Sequence, residues 1–199
     1  AAKCGRYSQY PRLKTERQVE IVKIVMLEGS PVKHGSSNSL AGQFKKGAEE
    51  AGHTVSVIDA TRTDIHPCTG CVHCGYEGPC AQKDAMEELR PEILSADMLV
   101  FVTPLYYYGM SSQLKKLIDR FCAFNMSLSA RHMKCALIAA AWNSDDWTFD
   151  ALTAHYKTLV RYLSMRDMGM VLGYGCGTPG MTKRSKYMQQ AYELGRSQR

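Results

Sequence analysis

Four cysteines, Cys68, Cys71, Cys74 and Cys80, form a run C-x-x-C-x-x-C-x5-C. Scattering the chain's eight cysteines at random over its 199 residues would put about half a cysteine in a window of that length. The turn-like spacing lets three thiolates converge on one centre, and the fourth returns after Gly75–Pro79. Soft thiolates select zinc or an iron–sulfur cluster. C-x-x-C-x-x-C is the run that wraps one face of a 4Fe–4S cubane, with a fourth cysteine elsewhere; zinc more often takes two separated C-x-x-C knuckles. Empty redox thiols or a local disulfide are the plainer alternative. His73 lies inside the run and reads as a solvent-facing side chain rather than a ligand.

A second stretch with chemical potential is Ile21–Phe44. Its β-branched and apolar opening, Ile21–Leu27, reads as a buried parallel strand. The strand must end at Gly29-Ser30-Pro31, and Ser36-Ser37-Asn38-Ser39 are residues of helix N-cap type. Leu40, Phe44 and Ala48 then repeat at helical spacing. Strand, Gly/Ser-rich loop and helix N-terminus together make an anion site, because loop N–H groups and the helix dipole point to one place. Hydroxyls of Ser30, Ser37 and Ser39 add donors, and a phosphate is the natural occupant. The loop is neither a Walker A loop nor a dinucleotide fingerprint, since Gly-Lys-Ser/Thr and G-x-G-x-x-G are both absent. Asp59 reads as a strand-end cap rather than a ribose-binding acid.

A third stretch, Pro104-Leu105-Tyr106-Tyr107-Tyr108-Gly109, follows an apolar strand and offers flat aromatic faces and backbone N–H groups to a planar ring. The loop Ala141–Ser144, after the next strand, brings Trp142 and Asn143 to the same end.

The elements that must position these loops follow from periodicity. Strands are expected at Ile21–Leu27, His53–Ile58, Met98–Thr103, Cys135–Ala141 and Met168–Leu172. Helices are expected from about Ser37 to Ala51, over Ser112–Phe121, Thr148–Met165 and Lys183–Leu194, with Gly52 and Gly195 as helix-ending glycines. Pro91 should split Ala85–Ser95 into two short helices. Alternating strands and helices imply an α/β fold, a parallel sheet covered on both faces. Ligands of such sheets bind beyond the carboxyl ends of the strands, where strand order reverses. Residues 1–20 read as a basic arm or leader, residues 21–199 as one domain, and residues 61–84 as a cysteine-bearing insertion.

GSPVKHGSSNSLA resembles the G-S-P-R-x-x-G-N-T-x-x-L phosphate loop of the NAD(P)H-dependent FMN reductase group of flavodoxin-like proteins. Val32 stands in place of the Arg, and Lys33 is a candidate replacement cation. TPLYYYGMSSQLKKLIDRF resembles the group's T-P-x-Y-x-x-x-x-S-x-x-L-K-x-x-I-D-R segment, and the cysteine run resembles the motif of its iron–sulfur flavoprotein branch. The resemblance implies a flavodoxin-like doubly wound sheet of five strands in the order 2-1-3-4-5. It implies FMN held by Ser30, Lys33, Ser36, Ser37, Asn38 and Ser39 at its phosphate. Pro104, Leu105, Tyr106, Tyr107, Tyr108 and Gly109 would serve the ring, with Trp142 and Asn143 at its edge. It further implies a 4Fe–4S cluster on Cys68, Cys71, Cys74 and Cys80, an electron donor that is either NAD(P)H or ferredoxin-like, and a homodimer or homotetramer.

The net charge of +6 is concentrated partly in the two ends, and no nucleic-acid-binding motif accompanies it. No apolar run is long enough to span a membrane, and no signal-peptide core opens the chain. The expected compartment is therefore a reducing cytoplasm, where cysteines serve as ligands or redox groups. Cys122 and Cys135 read as core, and Cys176, in a Gly-rich loop, as open to solvent. Three functions compete: an FMN redox flavoprotein exchanging electrons with a 4Fe–4S cluster or external acceptor, a cluster-free NAD(P)H-dependent FMN or quinone reductase, and a non-enzymatic zinc-binding module.

Overall fold

The computed structural model describes residues 20–198. The arm expected over residues 1–20 lies outside them except for Glu20, as does Cys4. Strand β1 is Lys23–Glu28. It begins two residues later than the apolar run because pairing starts where Asp97 accepts a hydrogen bond from the Lys23 amide at 2.8 Å; Ile21 is left exposed. Strands β2 (Thr54–Asp59), β3 (Met98–Pro104), β4 (Lys134–Ala140) and β5 (Arg166–Gly173) complete an all-parallel sheet. Its order is β2-β1-β3-β4-β5, as the resemblance implied.

Side chains alternate across this sheet with period two. Val25, Leu27, Leu99, Phe101 and Leu137 enter one core; Ile24, Met26, Val100, Val102 and Ile138 enter the other. The first core is covered by α2 (Met86–Leu94), α3 (Ser112–Asp119) and α5 (Asp150–Tyr162). The second is covered by α1 (Ser36–Glu50) and α7 (Tyr187–Arg196).

Several local expectations are corrected. Helix α2 runs unbroken through Pro91. Proline removes one helical hydrogen bond, but Pro91 is exposed, so water can serve the freed carbonyl, while buried Met86 and Ile93 hold the helix from beneath. After α3 the chain makes a 3₁₀ turn, Arg120–Phe124, and a short helix α4, Asn125–Ala130. Burial of Phe121, Phe124 and Leu128 draws this segment inward. The long helix expected from Thr148 divides into a 3₁₀ turn, Asp146–Phe149, and α5. The last helix, expected from Lys183, starts only at Tyr187 as α7, and a short helix α6 (Pro179–Lys183), capped by the Thr178 hydroxyl, precedes it where a loop was expected.

Gly52, with φ +91°, ends α1 as expected. Gly195 does not end α7; it lies within it. A Cβ there would stand 2.0 Å from the Phe44 carbonyl oxygen, and one on Gly47 would stand 2.1 Å from that of Tyr192. These two glycines let α1 and α7 approach backbone to backbone, and any larger residue would force them apart.

Candidate functional site

Strand order reverses between β1 and β3, and the crevice beyond their carboxyl ends is where the expected loops meet. Gly29 leaves β1 by donating to the Val102 carbonyl at 2.9 Å. It has no room for a side chain: a Cβ would fall 2.5 Å from that of Leu114. The buried Ser111 hydroxyl donates to the Gly29 carbonyl at 2.7 Å and accepts from the Leu114 amide at 3.2 Å, capping α3. The Ser111 amide in turn donates to the Thr103 hydroxyl at 2.9 Å. One serine thus fixes the phosphate-type loop, the aromatic loop and the start of α3 against each other. Ser111 is absent from the expected site residues, although a serine directly before an apolar helical repeat is a cap signal.

Helix α1 starts after Gly35 with no side-chain cap. The unpaired amides of its first turn and the positive end of its dipole therefore remain available to an anion. Ser37 is 1% exposed, and its hydroxyl has no hydrogen-bond partner. Buried polar atoms are nearly always paired, so this orphan marks a position for a ligand acceptor. The cavity in front of it has a volume of about 390 Å³ and is lined by Ser30, Val32, Gly35, Ser36 and Ser37 on one side and by Pro104, Leu105 and Tyr106 on another. Trp142, Ala140 and Ala141 contribute from the end of β4. No charged side chain lines it among the described residues, so an anion there would be held by amides and hydroxyls.

The other expected contacts stand outside this lining. Lys33 offers its backbone carbonyl to the Asn38 amide group at 3.4 Å. The Ser39 hydroxyl donates to Gly35 at 2.9 Å, and Asn143 braces its own loop by donating to Asp145 at 3.0 Å. Tyr106 and Gly109 exchange backbone hydrogen bonds around a two-residue turn. Tyr107 and Tyr108 at its tip have φ of 44° and 63°, a left-handed pair that glycine or asparagine would adopt more easily. The turn projects Tyr107 wholly into solvent, while Tyr108 packs on Trp147 with ring centroids 5.2 Å apart.

The loop after β5 was missed as a wall of the site. Cys176, Gly177 and Pro179 line the cavity. Cys176 is 2% exposed, contrary to its expected openness. Gly177 lies under the Trp142 ring, where a Cβ would come within 2.2 Å. Only the fold, by placing β5 beside β4, brings this segment to the crevice.

The cysteine segment, residues 61–85, is irregular and held by side chains. Arg120, 1% exposed, pairs with Asp84, whose side chain is fully buried; Nη2 reaches Oδ1 at 3.0 Å. Arg120 also donates to the His66 carbonyl at 3.0 Å, and the His66 amide donates to Asp84 at 2.8 Å. Burial pushes the Asp84 carboxyl up, but hydrogen bonds from Arg120 and the His66 and Met86 amides outweigh it and hold its pKa below the usual value. Glu77 accepts from the Ser127 amide at 2.9 Å and from its hydroxyl, and Cys80 donates its amide to Glu87 at 3.2 Å.

Cys68, Cys71, Cys74 and Cys80 line one small cavity of about 20 Å³, with Cys68 and Cys71 exposed and Cys74 and Cys80 half-buried. Their chemistry suits an iron–sulfur cluster. Among the described residues no three His, Cys, Asp or Glu side chains converge to hold a metal ion. Cys135 is core, as expected, but Cys122 is not buried core: it lines the cysteine cavity. Burial first, and then the Cys74 and Cys68 thiols, raise the Cys122 pKa to about 11.

No helix of the described residues is long and apolar enough to cross a membrane. The profile of the NADPH-dependent FMN reductase family matches residues 22–175. An iron–sulfur flavoprotein of Archaeoglobus fulgidus is 32% identical over 103 residues, 52% of this chain and 47% of that protein. The chain thus spans about half the length of that relative. A Bacillus subtilis protein, YwqN, described provisionally as an NAD(P)H-dependent FMN-containing oxidoreductase, is 26% identical over 77% of this chain and 86% of its own length. In fold the chain is similar to an NAD(P)H:quinone oxidoreductase from Methanothermobacter marburgensis, with a TM-score of 0.71 at 17% identity over 88% of this chain and 95% of that one. With the phosphate-type loop, the aromatic turn and the parallel sheet in place, the chain belongs to the NADPH-dependent FMN reductase family.

Proposed function

We propose that this protein is an FMN-dependent oxidoreductase whose flavin occupies the crevice between the β1 and β3 loops. The observation that carries this reading is the unpaired Ser37 hydroxyl, buried at an uncapped helix N-terminus that opens on a cavity of about 390 Å³. Ser30, Ser36, Ser37 and the first amides of α1 would hold the phosphate. Pro104, Leu105 and Tyr106 would hold the ring, with Trp142 over Gly177 at the rim. When bound, FMN supplies the redox chemistry, taking electrons in pairs and releasing them singly. The chain positions the cofactor, shields it from water and supplies amide donors to its polar edge; no side chain is assigned an acid or base role.

NAD(P)H is the donor the family implies, and a ferredoxin-like donor is the alternative. A second copy of the chain completing the site as a homodimer or homotetramer is supported by the exposure of Tyr107 (102%) and Trp142 (72%) beside the crevice. A 4Fe–4S cluster on Cys68, Cys71, Cys74 and Cys80 is a further reading, favoured by their spacing and by the name of the Archaeoglobus relative. In this structure the four thiols line one small cavity, and the redox role proposed for the crevice does not depend on a cluster.

The test is the absorption spectrum and metal content of anaerobically purified protein. Flavin bands released as FMN on denaturation are expected; a protein that neither carries nor binds FMN would overturn the proposal. Iron and sulfide that Cys74→Ala removes while FMN stays bound would support the cluster, and absence of both elements would dismiss it.

A further inference from the structure

The cysteine run accounts for four thiols, but its cavity has a fifth. Cys122 comes from the 3₁₀ turn after α3, forty-eight positions beyond Cys74 in the chain. It lines the same cavity as the run. The Cys74 thiol donates to the Cys122 carbonyl at 3.8 Å, and Cys74, Cys68 and Cys122 line the same cavity.

The two sides of this contact differ in rigidity. Cys122 follows Arg120, which is locked in its buried pair with Asp84, and precedes buried Ala123 and Phe124. Cys74 sits in a loop that turns through positive φ at Val72 (55°), Gly75 (54°) and Tyr76 (66°) and packs its side chain against the core. Cys68, the other neighbour, is exposed and has no such support.

We infer that Cys74 and Cys122 are a redox-active pair, a modification site at which the cysteine loop is bridged covalently to the turn after α3. The oxidant is a low-molecular-weight disulfide such as oxidised glutathione. A thiolate of the pair attacks it, forming a mixed disulfide and releasing one thiol; the second member then displaces the other small thiol and closes the Cys74–Cys122 bond. Two protein thiols are oxidised, one disulfide is reduced to two thiols, and no further reactant is needed. The bridge withdraws Cys74 from metal binding. It does not depend on a cluster or on FMN, so it can fail or stand independently of the function proposed above.

The experiment uses the full chain, stripped of metal with a chelator under anaerobic conditions and then exposed to oxidised glutathione. Peptide mapping without reduction should recover a peptide pair joined through Cys74 and Cys122, lost on treatment with dithiothreitol. Cys122→Ser should abolish that pair and retain FMN binding. Cys122→Ala repeats the comparison without a hydroxyl. Disulfides confined to residues 68–80, a bridge from Cys122 to Cys68, or Cys122 recovered as a free thiol after full oxidation would each overturn the inference.

Discussion

The crevice beyond β1 and β3 and the cysteine loop are built by different means. The crevice is made chiefly of backbone: strand ends, a helix N-terminus and the close approach of Gly29 to Leu114 place its amides, and the Ser111 hydroxyl pins the loops to one another. The loop between β2 and α2 has no regular structure, and its shape depends on side chains reaching from elsewhere: Arg120 to Asp84, Ser127 to Glu77 and Glu87 to Cys80. A backbone site is already organised when its ligand arrives. A side-chain-clamped loop keeps its shape only while its clamps are paired, which suits a segment that must admit a metal or exchange a thiol.

The largest expected effect comes from breaking the main clamp. Arg120→Met leaves the Asp84 carboxylate buried without its partner and should cost about 3–5 kcal/mol, read by thermal unfolding and faster amide exchange over residues 61–85. FMN affinity should hold; a parallel loss of FMN would mean that the two regions are one cooperative unit and would erase the contrast. Next, Ser37→Asp places a negative charge where the phosphate is expected. FMN should bind about thirtyfold more weakly, roughly 2 kcal/mol at an effective dielectric near that of a protein surface, with the melting behaviour of the cysteine loop unchanged. An unaltered Kd would remove this loop from the site.

Ser30→Ala is milder. The Ser30 hydroxyl receives the Val32 amide at 3.3 Å and shapes the turn, so its loss should cost about 1 kcal/mol, near fivefold in FMN affinity. The smallest effect is expected from acid. The Asp84 pKa is held below its ordinary value of 3.8. Its contribution to stability is therefore complete above that value and is lost as pH falls through the lower folded pKa. Amide exchange in the loop should accelerate in that acidic window and not between pH 5 and 8. Protonation removes a charge but leaves hydrogen-bonding atoms in place, so the change is smaller than that of Arg120→Met.

Much of the crevice was legible in the chain because its causes are local. An apolar β run, a Gly/Ser/Pro break and a helical repeat occur within two dozen residues, and each step is dictated by neighbouring side chains and backbone preferences. The five strands and their alternation followed from the same logic, with bounds displaced by only one or two residues. The exceptions share a physical cause. Pro91 was expected to break a helix, yet tertiary anchoring by Met86 and Ile93 outweighs one missing hydrogen bond. Gly195 carried the composition of a helix stop, but its smallness serves the contact with Phe44 instead.

What the sequence determined alone was the sheet, the strand–loop–helix course of the first loop and the clustering of four thiols, since each depends on residues near one another along the chain. What only the tertiary structure decided was which distant segments face these features. Cys122 joins the thiol cavity, Arg120 secures the cysteine segment, and Cys176–Pro179 walls the crevice because β5 lies beside β4. Contacts of that kind arise from packing the helices and strands together, and no local pattern of residue types encodes them.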